Sequence, residues 1–543
     1  MTTPLDAEWP DQRVLAALVG YEQQPSACLL GDLLQTLAGA TEKVWLGTAR
    51  RLLLARRAAA SACVLEHALD EHPRSNDLRL ALAGVRIETG DADAAEVLLR
   101  ALLAQTPGDV GGSFLLARMM KDQGRMRAAS QLVAAIFEHR QRDPELIIQA
   151  IELLDDCGRK QAAANLSEAC IDEGSLDPRL HAYSAMLLAQ LGEFERSRVR
   201  YEFVASHSSL APEWHVPQGL AGLQKYQSIA HPDFALFQRY LQQSLSDPAK
   251  TSLLYALGKA HDDLGDTAQA VGYFREANAL EHARSRWSRK RWSRSVEVRK
   301  QRQRPPVSLP EAMDWTPVFV VGAPRSGSSL LAQQLARYPQ VSHRGELPWL
   351  PRLVAALDPD GPDYPQQLRQ VAAAYAAQLR QDDSDARWFI DKQPHNYMEI
   401  DIILAMFPQA RIIHCQRNAR DCGLSIWMQA FQTGQQDFAS DFTDIAGMIR
   451  DERQLMAYWQ TRYGDAIRSV RYEELTSDPA EVIQGLCDWL GVPAAALQEP
   501  RRNADAIATA SLWQARQPIH TRSVARWKRY AQYLPELLQL PDD

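Results

Sequence analysis

The 543-residue chain is 46% hydrophobic and 23% charged, with a net charge of −7. That length exceeds one ordinary core and implies several domains of ~100–200 residues each. The apolar content excludes a mostly disordered chain, and the acidic balance gives no general support for nucleic-acid binding.

Seven cysteines are widely spread, with no CxxC pair and no His/Cys cluster at zinc spacing. Reduced thiols and no metal are the expectation. The start, MTTPLDAEWPDQR, has neither a basic nor an apolar signal-peptide region. Nowhere do ~18 apolar residues run together, so no membrane span and a cytoplasmic location are expected.

Residues 1–43 are expected to form a helical cap. Beyond them the first half is periodic: Gly90, Gly124, Gly158 and Gly192 recur every 34 residues, and Gly265 follows 73 later, after a small insertion. Five residues past each glycine stands a small residue: Ala95, Ala129, Ala163, Ser197 and Ala270. The glycine supplies a tight turn, and the small side chain lets the second helix approach the first. The pattern resembles the tetratricopeptide repeat, a helix-turn-helix of about 34 residues. An array over 44–283 is expected, with Val44–Pro73 as a degenerate early repeat. Such arrays stack into a solenoid whose concave face holds a peptide or protein partner, or serves as a scaffold or dimer surface.

Residues 284–304 carry ten Lys or Arg and one acid, and Pro305, Pro306 and Pro310 follow. Residues 284–313 therefore read as a basic, proline-containing linker, either a solvated face or an anion contact.

The chemistry lies in residues 314–543. Val318–Val321 reads as a buried strand, Gly322–Ser329 as a turn and Ser328–Arg337 as a helix. Strand, glycine loop and helix N-terminus cradle phosphate with free backbone N–H groups. The spacing is G-x4-G followed by two serines, so Ser328 stands where a Walker A motif has lysine. That argues against a nucleotide triphosphatase or kinase, and Arg325 offers a planar fork for a phosphate instead. RIIHCQR, over Arg411–Arg417, is again strand-like and leads into a helix, so Arg417 and Ser425 can converge on a second phosphate. Two anion sites on neighbouring strands suggest a nucleotide with phosphates at both ends of its ribose.

Together these segments resemble PAPS-dependent sulfotransferases, enzymes that use 3′-phosphoadenosine 5′-phosphosulfate. GAPRSGSSLL is similar to their 5′-phosphosulfate loop and RNARDCGLS to their 3′-phosphate motif. In wording both are similar to the tyrosylprotein sulfotransferase branch and to bacterial proteins that fuse tetratricopeptide repeats to such a domain. The resemblance spans roughly Trp315–Leu538 and implies a three-layer α/β domain with a central parallel sheet. It assigns Arg325, Ser326, Gly327, Ser328, Ser329 and Leu330 to the 5′-phosphosulfate, and Arg417 and Ser425 to the 3′-phosphate. RGEL gives Glu346, 21 residues after Arg325, as the base that takes the acceptor's hydroxyl proton. His343 is the competing base. DKQPHN gives Lys392, a cation against charge building on the leaving group. RYEEL gives Tyr472 as a cofactor contact. The tail TASLWQARQPIHTRSVARWKRY is similar to the loop closing over adenine and the 3′-phosphate. It gives Ser511, Gln514, Arg516 and Arg526 as cofactor residues, with Trp527 packing.

The implied reaction is in-line sulfuryl transfer without a metal. The acceptor is a tyrosine in a protein or peptide, recruited by the concave repeat face. Competing acceptors are a small alcohol, an amine or a saccharide. Competing classes are a P-loop kinase, which predicts tight ATP·Mg binding, and a non-catalytic scaffold. Repeats and resemblance leave the oligomeric state open, a homodimer included.

Overall fold

The computed structural model describes residues 12–137, 143–302, 313–431, 434, 436–493 and 519–541. The chain forms two compact units, residues 1–141 and 142–543.

In the first unit, α1 (Gln12–Gln23) and α2 (Ala27–Leu37) precede the pairs α3 and α4 (Glu42–Leu54, Ala58–Glu71), α5 and α6 (Asn76–Glu88, Ala92–Gln105), and α7 and α8 (Val110–Asp122, Met126–Phe137). Ser26, Ser75, Asp91 and Asp109 start helices by accepting backbone N–H groups that would otherwise lack partners. Gly90 and Gly124 turn each pair with φ of +83° and +77°. In the early repeat Arg56, 34 residues before Gly90, takes the same left-handed backbone with φ +59°. Ser61, five residues after Arg56, is fully buried like Ala95 and Ala129, and its hydroxyl donates to the carbonyl of Ala49 at 2.8 Å. The repeat therefore keeps its geometry after losing its glycine.

The second unit continues with α9 and α10 (Pro144–Asp156, Lys160–Asp172) and α11 and α12 (Pro178–Leu191, Phe194–His207). The insertion forms the short α13 (Val216–Gly222) and α14 (Pro232–Leu241), and the last pair is α15 and α16 (Asp247–Asp263, Thr267–Arg284). Ala163, Ser197 and Ala270 are fully buried, as their close-approach positions require.

The stretch expected as a linker holds α17 (Arg289–Gln301). Trp292, Val296 and Arg299 fall on one helical face. Val296 enters the core beside Trp292, and Arg299 binds the Glu399 carboxylate and the Met398 carbonyl. Arg302 adds a 2.9 Å ion pair to Glu399, while Lys290, Arg291 and Arg294 are exposed. Pro305, Pro306 and Pro310 lie outside the described residues.

The sheet contains β1 (Thr316–Gly322), β2 (Val341–His343), β3 (Trp388–Asp391), β4 (Arg411–Gln416) and β5 (Ile467–Arg471), all parallel, in the order β2-β3-β1-β4-β5. Alternate residues of β1 face opposite ways. Phe319 and Val321 pack under α19 (Trp349–Ala355), α20 (Tyr364–Arg380), α21 (Ile400–Met406) and α23 (Phe442–Tyr463). Val318 and Val320 pack against α18 (Ser328–Leu335) and α25 (Pro479–Leu490). The remaining helices are α22 (Ala419–Trp427), α24 (Tyr472–Ser477) and α26 (Trp527–Tyr530). Both faces of the sheet are covered, which gives three layers. The last repeat shares a core with this domain: Phe274 meets Trp427 ring to ring at 6.0 Å, and Asn278 donates to the Trp427 carbonyl at 3.0 Å. No helix among the described residues is long and apolar enough to cross a membrane.

Candidate active site

The loops after β1, β2, β3 and β4 open at one edge, the carboxyl ends of the strands, where open α/β sheets bind ligands. After β1 the loop turns into α18, whose first residue is Ser328. Gly327 has φ +100°, and a Cβ there would lie 2.5 Å from the Tyr472 ring, so the close approach needs glycine. Ser326 Oγ is buried without a hydrogen-bond partner, and Ser328 is buried at the helix start. A buried hydroxyl left unpaired beside a helix N-terminus fits an incoming phosphate or sulfonate oxygen. Leu330 packs its side chain on the core, which leaves its backbone N–H for that role.

Arg417 follows β4, next to β1 in the sheet. Its guanidinium donates to the carbonyls of Arg325 at 3.0 Å and Ser523 at 2.8 Å, and lies 4.5 Å from the centre of the Tyr472 ring. Its Nε is buried with no partner. Arg325 adopts φ +70° and donates its Nε to Ser425 Oγ at 3.0 Å. The two residues that the resemblance assigns to different phosphates are thus joined, and the loops of β1 and β4 form one polar corner. Burial first, and then the charge of Arg417, bring Arg325 down to about 10, which leaves it protonated at neutral pH.

Glu346 follows β2 and Lys392 follows β3, and their side chains form an ion pair across neighbouring strands. The Lys392 side chain is 3% exposed and that of Glu346 46% exposed, so the lysine is fixed and the carboxylate faces solvent. The Lys392 N–H donates to the Gly345 carbonyl at 2.9 Å, which ties the two loops together. His343 points elsewhere in chemistry: burial, then Lys392 and Arg344, push its imidazole down to about 3, a poor proton acceptor. Its Nε2 is buried and unpartnered.

Arg526 begins α26 and pairs with Asp262. Ser511, Gln514 and Arg516 lie outside the described residues. Trp527 packs on the core under the Arg420 guanidinium, 4.6 Å from the ring centre.

Several functional neighbours escape sequence reasoning. Asp421 accepts the N–H groups of Ala525 at 2.6 Å and Trp527 at 2.8 Å. Asp391, fully buried, accepts from Tyr375, Asn396 and the Leu347 N–H, and burial raises it to about 6. It braces the loop after Glu346 and the one starting with Lys392. The available signal was the acid beside the motif residue in each case. Asp262 had no such signal. No three His, Cys, Asp or Glu side chains converge as a metal site among the described residues.

Comparison with known proteins follows this division. Residues 317–496 match the sulfotransferase family model. The α/β half carries a sulfotransferase-family domain. Residues 52–111 and 90–151 match the tetratricopeptide repeat. An uncharacterized protein of Aquifex aeolicus (strain VF5) is 32% identical over 242 residues, covering 41% of this chain and 32% of the relative. The chain therefore spans about a third of that relative's length. The sulfotransferase domain of the Synechococcus PCC 7002 olefin synthase is 24% identical, covers 42% of this chain and 91% of its own, and has a TM-score of 0.30. A tetratricopeptide repeat protein from Parabacteroides merdae is 13% identical over 44% of this chain and 92% of its own, with a TM-score of 0.30.

Proposed function

We propose that this protein transfers a sulfuryl group from PAPS to a hydroxyl acceptor, a tyrosine in a protein or peptide recruited by the concave face of the repeats. The carrying observation is the buried Lys392 paired with the exposed Glu346 on two strands, beside an arginine-rich corner on the next two. A kinase needs a lysine in the glycine loop, and Ser328 occupies that position.

PAPS, when bound, supplies the sulfuryl group and a phosphate leaving group. The N–H groups from Arg325 to Leu330, with the hydroxyls of Ser326, Ser328 and Ser329, hold the 5′ end. Arg417, Ser425 and Arg526 hold the 3′-phosphate, and Tyr472 braces Gly327 and Arg417. Glu346 takes the acceptor's hydroxyl proton as its oxygen bonds to sulfur, and Lys392 neutralises the charge left on the departing phosphate oxygen. Ser511, Gln514 and Arg516 belong to the same proposed nucleotide contact.

Calorimetry with adenosine 3′,5′-bisphosphate, ADP and ATP plus magnesium tests the donor. The bisphosphate should bind at least ~10-fold more tightly than ADP, the size of one charged phosphate contact. Equal or tighter ATP·Mg binding returns the kinase to first place. Sulfation of a tyrosine peptide, with the same peptide's phenylalanine variant inert, tests the acceptor.

A further inference from the structure

Asp262 stands in the last turn of α15, a repeat helix, far in sequence from every nucleotide motif. Its carboxylate accepts from Arg526, Arg529 and Tyr530, and the side chain is 14% exposed. The next residue, Asp263, serves the repeat itself, accepting from the Tyr226 N–H at 3.0 Å and from Lys259 at 2.6 Å. Two adjacent acids thus face different tasks.

The tail that Asp262 holds is gripped from the sheet side as well. Asp421 takes the N–H groups on either side of Arg526, and Arg417 donates to the Ser523 carbonyl. Ala525, within this clamp, is one of the few non-glycine residues with positive φ, at +57°, and Arg325 across the corner is another, at +70°. Such backbone persists where the surroundings over-determine it. The charges of Arg417 and Arg526 both act on Arg325. Three guanidinium groups in one neighbourhood repel, so holding Arg526 there requires a counter-charge, and Asp262 provides it.

We propose that Asp262 is a positioning residue of the nucleotide site, through which the last repeat aims Arg526 at the 3′-phosphate. The repeats then complete the donor site in addition to meeting the acceptor. This rests on the PAPS reading above.

The experiment measures binding of adenosine 3′,5′-bisphosphate and of AMP, which lacks the 3′-phosphate, to the full chain. Asp262→Asn keeps volume and removes charge. It should weaken the bisphosphate ~10-fold while AMP stays within about twofold. Asp262→Glu, which restores the charge, should recover most of the difference. In an Arg526→Ala background Asp262→Asn should add nothing, because both act through one contact. Arg275→Ala breaks a second repeat-to-tail pair, to Glu536, and should leave both affinities unchanged. An unchanged or increased bisphosphate preference in Asp262→Asn overturns the proposal. So do additive losses in the double variant, or an equal loss from Arg275→Ala. A wild-type chain that binds both nucleotides equally overturns the donor reading itself, which separates the two failures.

Discussion

Carboxylates and arginines are used differently in the repeat helices of the second unit and at the edge of its sheet. In the repeats, Glu168 is 7% exposed and accepts from Ser184, Arg196 and Arg200, while Asp233 is 4% exposed and accepts from Arg198, Gln224 and Tyr226. Each is surrounded by cations and donors that fix helix against helix. At the sheet edge, Arg325, Arg417 and Arg526 gather instead, and Ser326 Oγ and Arg417 Nε are buried without partners. Saturated charge serves register; unsaturated donors of one sign leave room for an anion to complete the set.

The largest expected effect breaks that comparison on the catalytic side. Glu346→Gln should lower kcat ~10²–10⁴-fold, the usual range for a general base, and leave nucleotide affinity unchanged. Retained turnover would remove Glu346 from the chemistry. The matching change in the repeats, Glu168→Gln, strands a buried cluster and should cost ~3 kcal/mol of stability without altering kcat. Denaturant unfolding beside steady-state assays separates the two. A stable Glu168→Gln with impaired turnover would reverse the assignment of regions.

Titration sharpens the contrast, because the two halves respond to pH with opposite signs. Burial alone would raise Glu168, but hydrogen bonds from Arg200, Ser184 and Arg196 bring it to about 2. Its folded value is depressed, so its contribution, ~3 kcal/mol at 1.36 kcal/mol per unit, is present above about pH 4.5 and lost as pH falls through 2. Asp391 goes the other way, raised by burial to about 6 despite its donors. Stability linked to its proton is present below about pH 4 and lost as pH rises through 6. Asp391→Asn should flatten the unfolding free energy between pH 4 and 6, and Glu168→Gln should flatten it below 4.5. A variant that leaves its own limb unchanged shows that another group carries it.

Next in size is Arg417→Ala, which removes the side chain linking the β1 loop, the tail carbonyl of Ser523 and the Tyr472 ring. Affinity for adenosine 3′,5′-bisphosphate should fall by ~1.5–3 kcal/mol, with AMP much less affected. An equal loss for both nucleotides would make Arg417 a brace of the loop and not a 3′-phosphate ligand.

Legibility in the sequence tracked the range of the interaction. The repeat turns were readable because glycine and small residue sit five apart, within one turn. Arg56 hid a further repeat because its left-handed backbone has no glycine to announce it. Glu346 and Lys392 were nameable from short motifs, but their pairing, 46 residues apart, depends on β2 and β3 being neighbours. Arg325 and Ser425 were divided between two phosphates because motif wording carries no sheet order; adjacency of β1 and β4 joins them. The 284–304 stretch read as a linker because its charge masked Trp292 and Val296, one helical turn apart on a buried face. Asp262 was beyond reach: an acid ending a repeat helix looks solvated, and its partner Arg526 lies 264 residues onward.

The smallest effect tests whether every repeat-to-tail contact matters equally. Arg275 on α16 pairs with Glu536 at 2.8 Å and donates to the Tyr533 carbonyl at 3.1 Å, but the two side chains are 45% and 32% exposed. Water competes for both ends, and ordering two long side chains offsets much of the attraction, so Arg275→Ala should cost ~0–1 kcal/mol of stability. Asp262, by contrast, holds its arginine where water is largely excluded and where two further guanidinium groups act, so its loss should register in nucleotide binding. Thermal melts of Arg275→Ala and Asp262→Asn, run beside bisphosphate titrations, compare the two. If the exposed pair costs as much stability as the buried one, burial is not what distinguishes them, and the tail is held by its apolar contacts, Tyr530, Leu534 and Leu537, regardless of charge.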